Sequence, residues 1–343
     1  MHRPVYLQGR GLACALGESL PDSLRAWQAD QAPALQRRAL GESGAAYRPI
    51  PDGADDATDD RAWLQRTLAH IEHVVHEARP DRRGALLLAS SSLDIGRLER
   101  GGAWYPDGLG FPEEVARRLA WQGPVLNVAT ACTSAVNALR QGATLVAHGE
   151  VPAALVLGID LFSRFTLGGF AALQLLPDWP EGEATAPSGG LVLGEAVAAL
   201  SIGPTPARWR LRGGAHCVSG SDPAGPTGAA IDQAIHQALA QAGWTAAQIG
   251  HVKAHATGQS GSDALEDDHL RLLLPHQPPR SRPKTLLGHS QGASAAAELA
   301  LLTALPTLPG ISTARPGLLA LSLGFGGGHG ALVLEDGEAR HAA

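Results

Sequence analysis

One cysteine in this sequence has the neighbours that a nucleophilic thiol needs. Cys132 follows a short run of strand-forming residues and comes directly before the small residues that begin an alanine-rich helix. The free N–H groups and the positive dipole at a helix start lower the pKa of a nearby thiol, which favours the reactive thiolate. A cysteine beside alanine is also a common small core residue, so Cys132 alone leaves a structural interpretation open.

Two histidines occupy positions of the same kind in the second part of the chain. His255 follows a predicted strand, residues 249–254, and enters the turn after it. His289 ends a second predicted strand, residues 285–288, and a helix is expected to begin near Gly292. Open α/β folds bind ligands where strands end and helices start, so both histidines are candidates for a site. A histidine at such a turn alternatively serves as a helix cap.

The only two lysines of the chain lie close to these histidines. Lys253 and Lys284 each precede one of them by a few residues. We expect Lys284 to pair with Glu266 or Asp263, which follow on the next turn and helix. Such an ion pair either is purely structural or holds the two histidines in position, since charged neighbours fix the orientation of the groups that react.

The remaining histidines are weaker candidates. His70, His73 and His76 recur every three residues in a predicted helix, which indicates a solvated face. His251 and His255 share one face of a strand, but no carboxylate or thiol stands at a spacing that would complete a metal site. The sequence therefore predicts no metal centre.

The elements that must position these residues are written twice along the chain. Five kinds of segment recur in the same order, which indicates an internal duplication. Strands separated by helices in two copies predict an α/β fold with mixed sheets. The matching segments are residues 4–14 and 209–217, 21–31 and 231–242, 84–90 and 249–254, 124–135 and 283–294, and the strand pairs 153–160 with 190–202 and 318–325 with 330–335.

The turn-rich sequence GPTP at residues 203–206 marks the predicted joint between the copies. We expect an N-terminal half, residues 1–204, with the nucleophile, and a C-terminal half, residues 205–343, with both histidines. The first half also carries two long insertions, residues 31–61 and 162–188, which we place on the surface or over the mouth of the site. Cys132 and His289 hold matching positions, so the duplication is expected to bring them together.

Composition limits the remaining possibilities. The 343 residues are 44% hydrophobic and 17% charged, which predicts a large core rather than disorder. A net charge of −6 disfavours nucleic acid and anionic membranes as partners. The sequence contains no apolar run near the ~20 residues of a membrane span and no signal segment, so we expect a cytoplasmic protein. Three scattered cysteines predict no disulfide framework.

Five motifs resemble those of the β-ketoacyl-acyl carrier protein synthases, condensing enzymes with a duplicated thiolase-type fold. TACTS at residues 130–134 is similar to the family's TACSS nucleophile turn, and AHATG at 254–258 to its AHGTG. KTLLGHSQGA at 284–293 reproduces K-x-x-x-G-H-x-x-G-A, LSLGFGG at 321–327 resembles NSFGFGG, and GEA at 194–196 resembles GEG. The resemblance implies a thiolase-like α/β fold with a duplicated five-layered α-β-α-β-α core.

The resemblance also implies an acyltransferase of fatty acid or polyketide biosynthesis. Cys132 takes an acyl chain from the phosphopantetheine of an acyl carrier protein as a covalent thioester. His255 and His289 then stabilise the enolate that forms when a malonyl unit loses carbon dioxide. The reaction needs no metal and no cofactor beyond the carrier's own phosphopantetheine.

Further residues take roles by the same resemblance. The backbone N–H groups of Cys132 and Phe325 form an oxyanion hole, and Phe325 also gates the acyl pocket. Lys284 and Glu266 support the histidines. The implied partners are an acyl carrier protein and a second synthase subunit, in a homodimer or heterodimer. Because carrier proteins are acidic, we expect them to meet an arginine patch, formed by Arg97, Arg100, Arg280 and Arg282.

Three functions stay open at this point. The first is a Cys-His-His elongating synthase, which the two histidines favour. A thiolase is disfavoured, because thiolases carry a second cysteine where this chain has Gly324. The short chain and altered residues such as Ala256 and Gln259 instead favour a chain length factor, a structural partner of an active synthase that typically lacks the nucleophile. Acyl transfer or hydrolysis at Cys132 without decarboxylation is the third possibility.

Overall fold

The computed structural model describes residues 3–41, 43–52, 59–103, 110–220 and 225–339. Its strands alternate with helices along the chain. The strands are β1 (Val5–Cys14), β2 (Gln36–Leu40), β3 (Ser43–Arg48), β4 (Ala85–Ala89), β5 (Val125–Val128), β6 (Ala154–Asp160), β7 (Leu193–Gly194), β8 (Ala196–Gly203), β9 (Trp209–Val218), β10 (Ile249–Lys253), β11 (Arg280–Ser281), β12 (Gly317–Gly324) and β13 (Gly328–Asp336).

The helices lie between these strands. They are α1 (Leu20–Gln28), α2 (Asp60–Ala78), α3 (Ile95–Leu98), α4 (Gly110–Arg118), α5 (Ser134–His148), α6 (Arg164–Ala172), α7 (Gly228–Ala242), α8 (Ser260–Leu273), α9 (Lys284–Leu287) and α10 (Ser294–Ala304), with short 3₁₀ turns at Ala246–Gln248 and Gln291–Ala293. Within the described ranges, no helix is both long enough and apolar enough to cross a membrane.

Ten strands form one mixed sheet in the order β11-β10-β12-β13-β9-β1-β8-β6-β4-β5. The pairs β4–β5, β4–β6, β10–β11 and β10–β12 are parallel, and the pairs between them are antiparallel. At the centre of the sheet, β1 and β9 share only the three residue pairs from Val5↔Leu211 to Leu7↔Trp209. This weak seam lets the two five-stranded parts fold around common helices.

Alternating side chains of the strands enter different cores, which creates the layers. Val197 and Ala199 of β8 pack with α2 and α4 in one outer core, whereas Ala198 and Leu200 face a central core around α5 and α10. The central core also receives Leu318 and neighbouring residues of β12 and β13, and the opposite faces of these two strands pack on α7 and α8. Five layers therefore alternate helix, sheet, helix, sheet and helix, which confirms the predicted α/β architecture.

One predicted element is wrong. The segment expected to be a strand before His289 is the helical turn α9, which starts after Pro283 and ends at Gly288. Gly288 has φ +74° and its N–H donates to the carbonyl of Lys284 at 2.9 Å, so the chain closes a helical turn in which glycine is the favoured terminator. A short apolar run suits a strand and a buried turn equally well.

The predicted boundary falls in the connection between Gly203 of β8 and Trp209 of β9. The division into halves 1–204 and 205–343 stays a prediction. Part of the first insertion, residues 31–61, forms β2 and β3, which join β7 in a separate small sheet; residues 42 and 53–58 lie outside the described ranges. The second insertion, residues 162–188, contains α6 and packs against Tyr47 and Leu193.

Candidate active site

Cys132 lies in a sharp turn between β5 and α5. Ala131, just before it, has φ +50°, a left-handed conformation that is costly for a residue other than glycine. The hydroxyl of Ser134 holds the turn, because it accepts from the N–H of Thr130 at 2.9 Å and donates to the carbonyl of Ala131 at 2.7 Å. Cys132 is therefore fixed in place directly ahead of the helix start and is only 5% exposed.

His289 lies within hydrogen-bonding distance of this thiol. Its Nε2 lies 3.2 Å from the Cys132 Sγ, and its Nδ1 lies 2.9 Å from the Ser294 hydroxyl at the start of α10. The backbone of His289 is also fixed, since its N–H donates to the carbonyl of Val192 at 2.7 Å and its carbonyl accepts from Gly194 at 3.1 Å. The duplication thus brings together two residues that are 157 positions apart.

His255 completes the group. Its ring centroid lies 5.5 Å from that of His289, with the rings nearly perpendicular. Glu266 accepts the backbone N–H of His255 at 2.6 Å, and the ammonium of Lys284 donates to the His255 carbonyl at 2.7 Å. The buried Nδ1 of the His255 ring has no hydrogen-bond partner among the described residues. The backbone of His255 is therefore held by two hydrogen bonds, whereas its ring Nδ1 is held by none from the described residues.

A buried ionic cluster lies behind the histidines. Glu298 of α10 pairs through one oxygen with Lys284 at 2.6 Å and through the other with Lys253. All three side chains are at most 1% exposed. The predicted pairing of Lys284 with Glu266 or Asp263 is therefore wrong. Both carboxylates instead accept backbone N–H groups of the turn that follows β10, because that turn leaves its N–H groups without backbone partners.

Burial keeps the reacting groups neutral. Burial raises the pKa of the Cys132 thiol to about 11; Lys284 and the N–H of Phe325 act against this rise, and Asp160 adds to it. The lowered pKa predicted from the helix start is therefore wrong, because the loss of solvation outweighs the helix dipole. Burial, together with the positive charge of Lys284, holds the pKa of His255 and of His289 well below the ordinary value. At neutral pH the site thus holds a thiol whose sulfur lies 3.2 Å from Nε2 of a neutral imidazole.

Asp160, at the end of β6, joins the two parts of the site. Its carboxylate accepts from the hydroxyls of Ser90, Ser91 and Ser92 and from the backbone N–H of Ala293 at 3.0 Å. Burial raises the pKa of this carboxyl to about 6, although the hydroxyls of Ser90 and Ser92 and the backbone N–H groups of Ser91 and Ala293 act in the opposite direction. It therefore fixes the turn after His289 to the strand edge beside Cys132.

Phe325 forms one wall of a small cavity over the cysteine. The cavity measures about 50 Å³ and is lined by Cys132, both histidines and apolar side chains. The Phe325 and Phe170 rings lie 5.4 Å apart, and a Cβ at Gly324 would lie 3.3 Å from the backbone nitrogen of Cys132. The space beside the thiol is thus narrow and is bordered by two aromatic rings.

Sequence reasoning missed several residues around this site. Glu298, Asp160 and Ser294 each bind a group that the motifs had singled out. Glu298 was detectable, because it is the one charged residue in the otherwise alanine- and leucine-rich helix α10. Asp160 left only a weak signal, since a polar residue at a strand end is common.

Two expectations about surface residues are wrong. All four residues of the predicted arginine patch are engaged in local ion pairs: Arg97 with Asp94, Arg100 with Glu99, and both Arg280 and Arg282 with Asp267. Of the three histidines predicted on a solvated face, His70 is buried, and its Nε2 lies 2.9 Å from Asp52. In both cases an acidic residue that the sequence pattern did not reveal contacts a side chain predicted to face solvent.

Known proteins match this chain in sequence and in structure. Residues 110–205 match the beta-ketoacyl synthase N-terminal domain and residues 213–305 the C-terminal domain, together more than half of the chain. Erythronolide synthase EryA2 of Saccharopolyspora erythraea is 33% identical over 202 residues, 53% of this chain but only 6% of that protein. The tetracenomycin polyketide synthase ketoacyl synthase alpha subunit of Streptomyces glaucescens is 29% identical over 55% of this chain and 50% of that protein.

The likeness of the folds covers nearly the whole chain. A chain from the complex of the ketosynthase ApeO with its chain length factor ApeC, from Xenorhabdus doucetiae, matches with a TM-score of 0.75. The match covers 97% of this chain and 98% of that one at 24% identity. The predicted thiolase-like fold is therefore confirmed. The two family domains, matched in order across the segments that hold the cysteine and both histidines, show that this chain belongs to the β-ketoacyl synthase family.

Proposed function

We propose that the protein is an active β-ketoacyl synthase, an acyltransferase that extends an acyl chain by decarboxylative condensation with a malonyl unit. One observation carries the proposal: the Cys132 Sγ lies 3.2 Å from Nε2 of His289, beside the ring of a second histidine and in the same cavity. A nucleophile, a base and a further imidazole are the groups that this two-stage reaction requires.

The first stage loads Cys132. The sulfur attacks the carbonyl carbon of an acyl thioester on a carrier protein, and the thiol proton moves to Nε2 of His289. The carrier's thiolate leaves, takes that proton and becomes a free thiol, so the acyl group remains on Cys132 as a thioester. The Ser294 hydroxyl lies 2.9 Å from Nδ1 of His289 and can accept from it or donate to it, so Nε2 can accept the thiol proton in this stage and carry a hydrogen in the next.

The second stage forms the carbon–carbon bond. The bond between the malonyl carboxylate and its α-carbon breaks, carbon dioxide leaves, and the electron pair moves onto the thioester oxygen as an enolate. N–H groups of the neutral His255 and His289 rings stabilise this oxygen. The α-carbon then attacks the thioester on Cys132, the backbone N–H groups of Cys132 and Phe325 hold the resulting oxyanion, and the Cys132 sulfur leaves with the bonding pair.

The partner in this proposal is an acyl carrier protein, with phosphopantetheine as the only prosthetic group involved. Similar solved structures support a carrier protein and a second synthase subunit as partners. They include a type II acyl-carrier protein in complex with its ketosynthase, and ketosynthases paired with chain length factors. Phe325 and Phe170 border the cavity, so an acyl chain that reaches Cys132 passes beside these two rings.

Covalent loading tests the proposal. The purified protein is incubated with acyl-carrier protein, its mass is measured, and malonyl-carrier protein is then added. We expect one acyl adduct on Cys132, its disappearance with release of carbon dioxide, and no adduct on Cys132→Ala. Condensation that persists in Cys132→Ala, with a second synthase subunit present, would instead identify a chain length factor. Adduct turnover without carbon dioxide in His255→Ala/His289→Ala would identify simple acyl transfer or hydrolysis.

A further inference from the structure

Lys253 is a buried charge that the proposed reaction does not use. It ends β10, two residues before His255, and its side chain is fully buried. Its ammonium contacts Oε2 of Glu298, whose other oxygen pairs with Lys284. A lysine is rarely buried completely unless it is paired, so the contact with Glu298 is what permits this one.

A chain of contacts leads from Lys253 to the candidate active site. Lys253 binds Glu298, Glu298 binds Lys284 at 2.6 Å, and Lys284 donates to the carbonyl of His255 at 2.7 Å. The N–H of the same histidine is held from the other side by Glu266. The position of the His255 ring thus depends on where Glu298 holds the Lys284 ammonium.

The cluster is balanced in charge only because position 253 is a lysine. Its two ammonium groups match the two carboxylates of Glu298 and Glu266, all four of them buried. Without Lys253 one buried carboxylate would lack a matching charge, and Lys284 would be drawn toward it and away from the His255 carbonyl. The other titratable groups that act on the histidine pair from the neighbouring elements are Cys132 and His329.

We propose that Lys253 is a positioning residue for the histidine pair: it neutralises Glu298, so that Glu298 holds Lys284 on the carbonyl of His255. This inference rests on the proposed function, in which the His255 ring contacts the enolate. It assigns to Lys253 a role in the chemical step and not in substrate binding.

Three variants test the inference: Lys253→Met, Glu298→Gln and the double variant. We expect Lys253→Met to lower kcat roughly 10- to 100-fold with little change in KM, as removal of an orienting neighbour does. The double variant, in which Lys284 and Glu266 again balance, should recover most of this loss. A further loss in the double variant relative to Glu298→Gln would overturn the inference, and this comparison decides the question even where Lys253→Met does not fold.

Arg208→Met is the matched control, because Arg208 forms an ion pair with Asp336 outside the site. We expect it to reduce thermal stability but leave kcat unchanged. If Lys253→Met behaves in the same way, Lys253 is merely structural. Failure of the function and failure of this inference are told apart by two measurements. Absence of condensation in the unchanged protein rejects the proposed function. Nitrogen NMR resonances of the His255 ring that are identical in Lys253→Met and the unchanged protein reject the role of Lys253.

Discussion

The turn that carries Cys132 and the segments that carry the histidines are held by different forces. Hydroxyl and backbone groups hold the Cys132 turn, with Ser134 as the central residue. The histidine segments are held by the buried charges of Lys284, Glu298 and Glu266. The difference is that hydroxyl and backbone groups hold the turn of the nucleophile, whereas ionic groups bind backbone atoms behind the imidazole of His255.

The largest effect is expected from removal of the nucleophile. Cys132→Ala removes the only thiol in the cavity lining and leaves the hydrogen bonds of the turn intact. We expect at least a 10³-fold loss of condensation, about what removal of a nucleophile costs, and no acyl adduct by intact-mass spectrometry. Cys217→Ala is the control, because that residue lies outside the cavity lining, and it should load normally. An adduct on Cys132→Ala would show that the acyl group is held elsewhere.

Stability should separate the two regions clearly. Glu298→Ala leaves two buried ammonium groups without their shared carboxylate, and we expect it to lower the free energy of unfolding by about 3–5 kcal/mol. Ser134→Ala leaves the Thr130 N–H unsatisfied and should cost only about 1–2 kcal/mol. Urea unfolding measures both. Equal losses would contradict the distinction between charged and hydroxyl support.

The pH dependence of stability should have opposite signs at the two histidines and at Asp160. The pKa values of His255 and His289 in the folded protein lie below 6.5, so the unfolded chain binds more protons as pH falls through 6.5. Stability should then fall by up to about 1.4 kcal/mol per pH unit for each histidine. The pKa of Asp160 is raised to about 6, so protonation of Asp160 stabilises the folded state between pH 6 and 4.

Urea unfolding between pH 8 and 4 checks this prediction. His289→Gln should reduce the loss of stability below pH 6.5, and Asp160→Asn should remove the opposing gain. A loss of stability on acidification that is as steep in His289→Gln as in the unchanged protein would show that the histidines do not cause it.

The smallest effect is expected at the contact between the two kinds of support. Ser294→Ala removes the hydroxyl 2.9 Å from Nδ1 of His289 and leaves the ionic cluster untouched. We expect about a fivefold fall in kcat, equivalent to one hydrogen bond of about 1 kcal/mol. Ser290→Ala, whose hydroxyl lies 3.4 Å from that of Ser294, is the control and should change kcat less. Equal effects would show that Ser294 does not orient the ring.

Much of the fold was predictable because its signals are local. Alternating residues indicated β1, short apolar runs indicated β6 and β8, and Gly243 after an alanine-rich run indicated the end of α7, where it has φ +68°. The helical turn α9 was missed because four residues carry no period that separates a turn from a strand. No strand was predicted in the insertion at residues 31–61, yet β2 and β3 form in it and pair with β7.

The sequence by itself determined the candidate residues: a cysteine before a helix and two histidines after buried segments, in two copies of one pattern. Only the tertiary structure decided which buried lysine pairs with which carboxylate. The sequence offered Lys284 two carboxylates, Glu266 and Glu298. In the structure Lys284 pairs with Glu298, because Glu266 accepts backbone N–H groups that have no other partner. Such choices depend on desolvation and on the competition among all buried groups, and no local pattern along the chain records that competition.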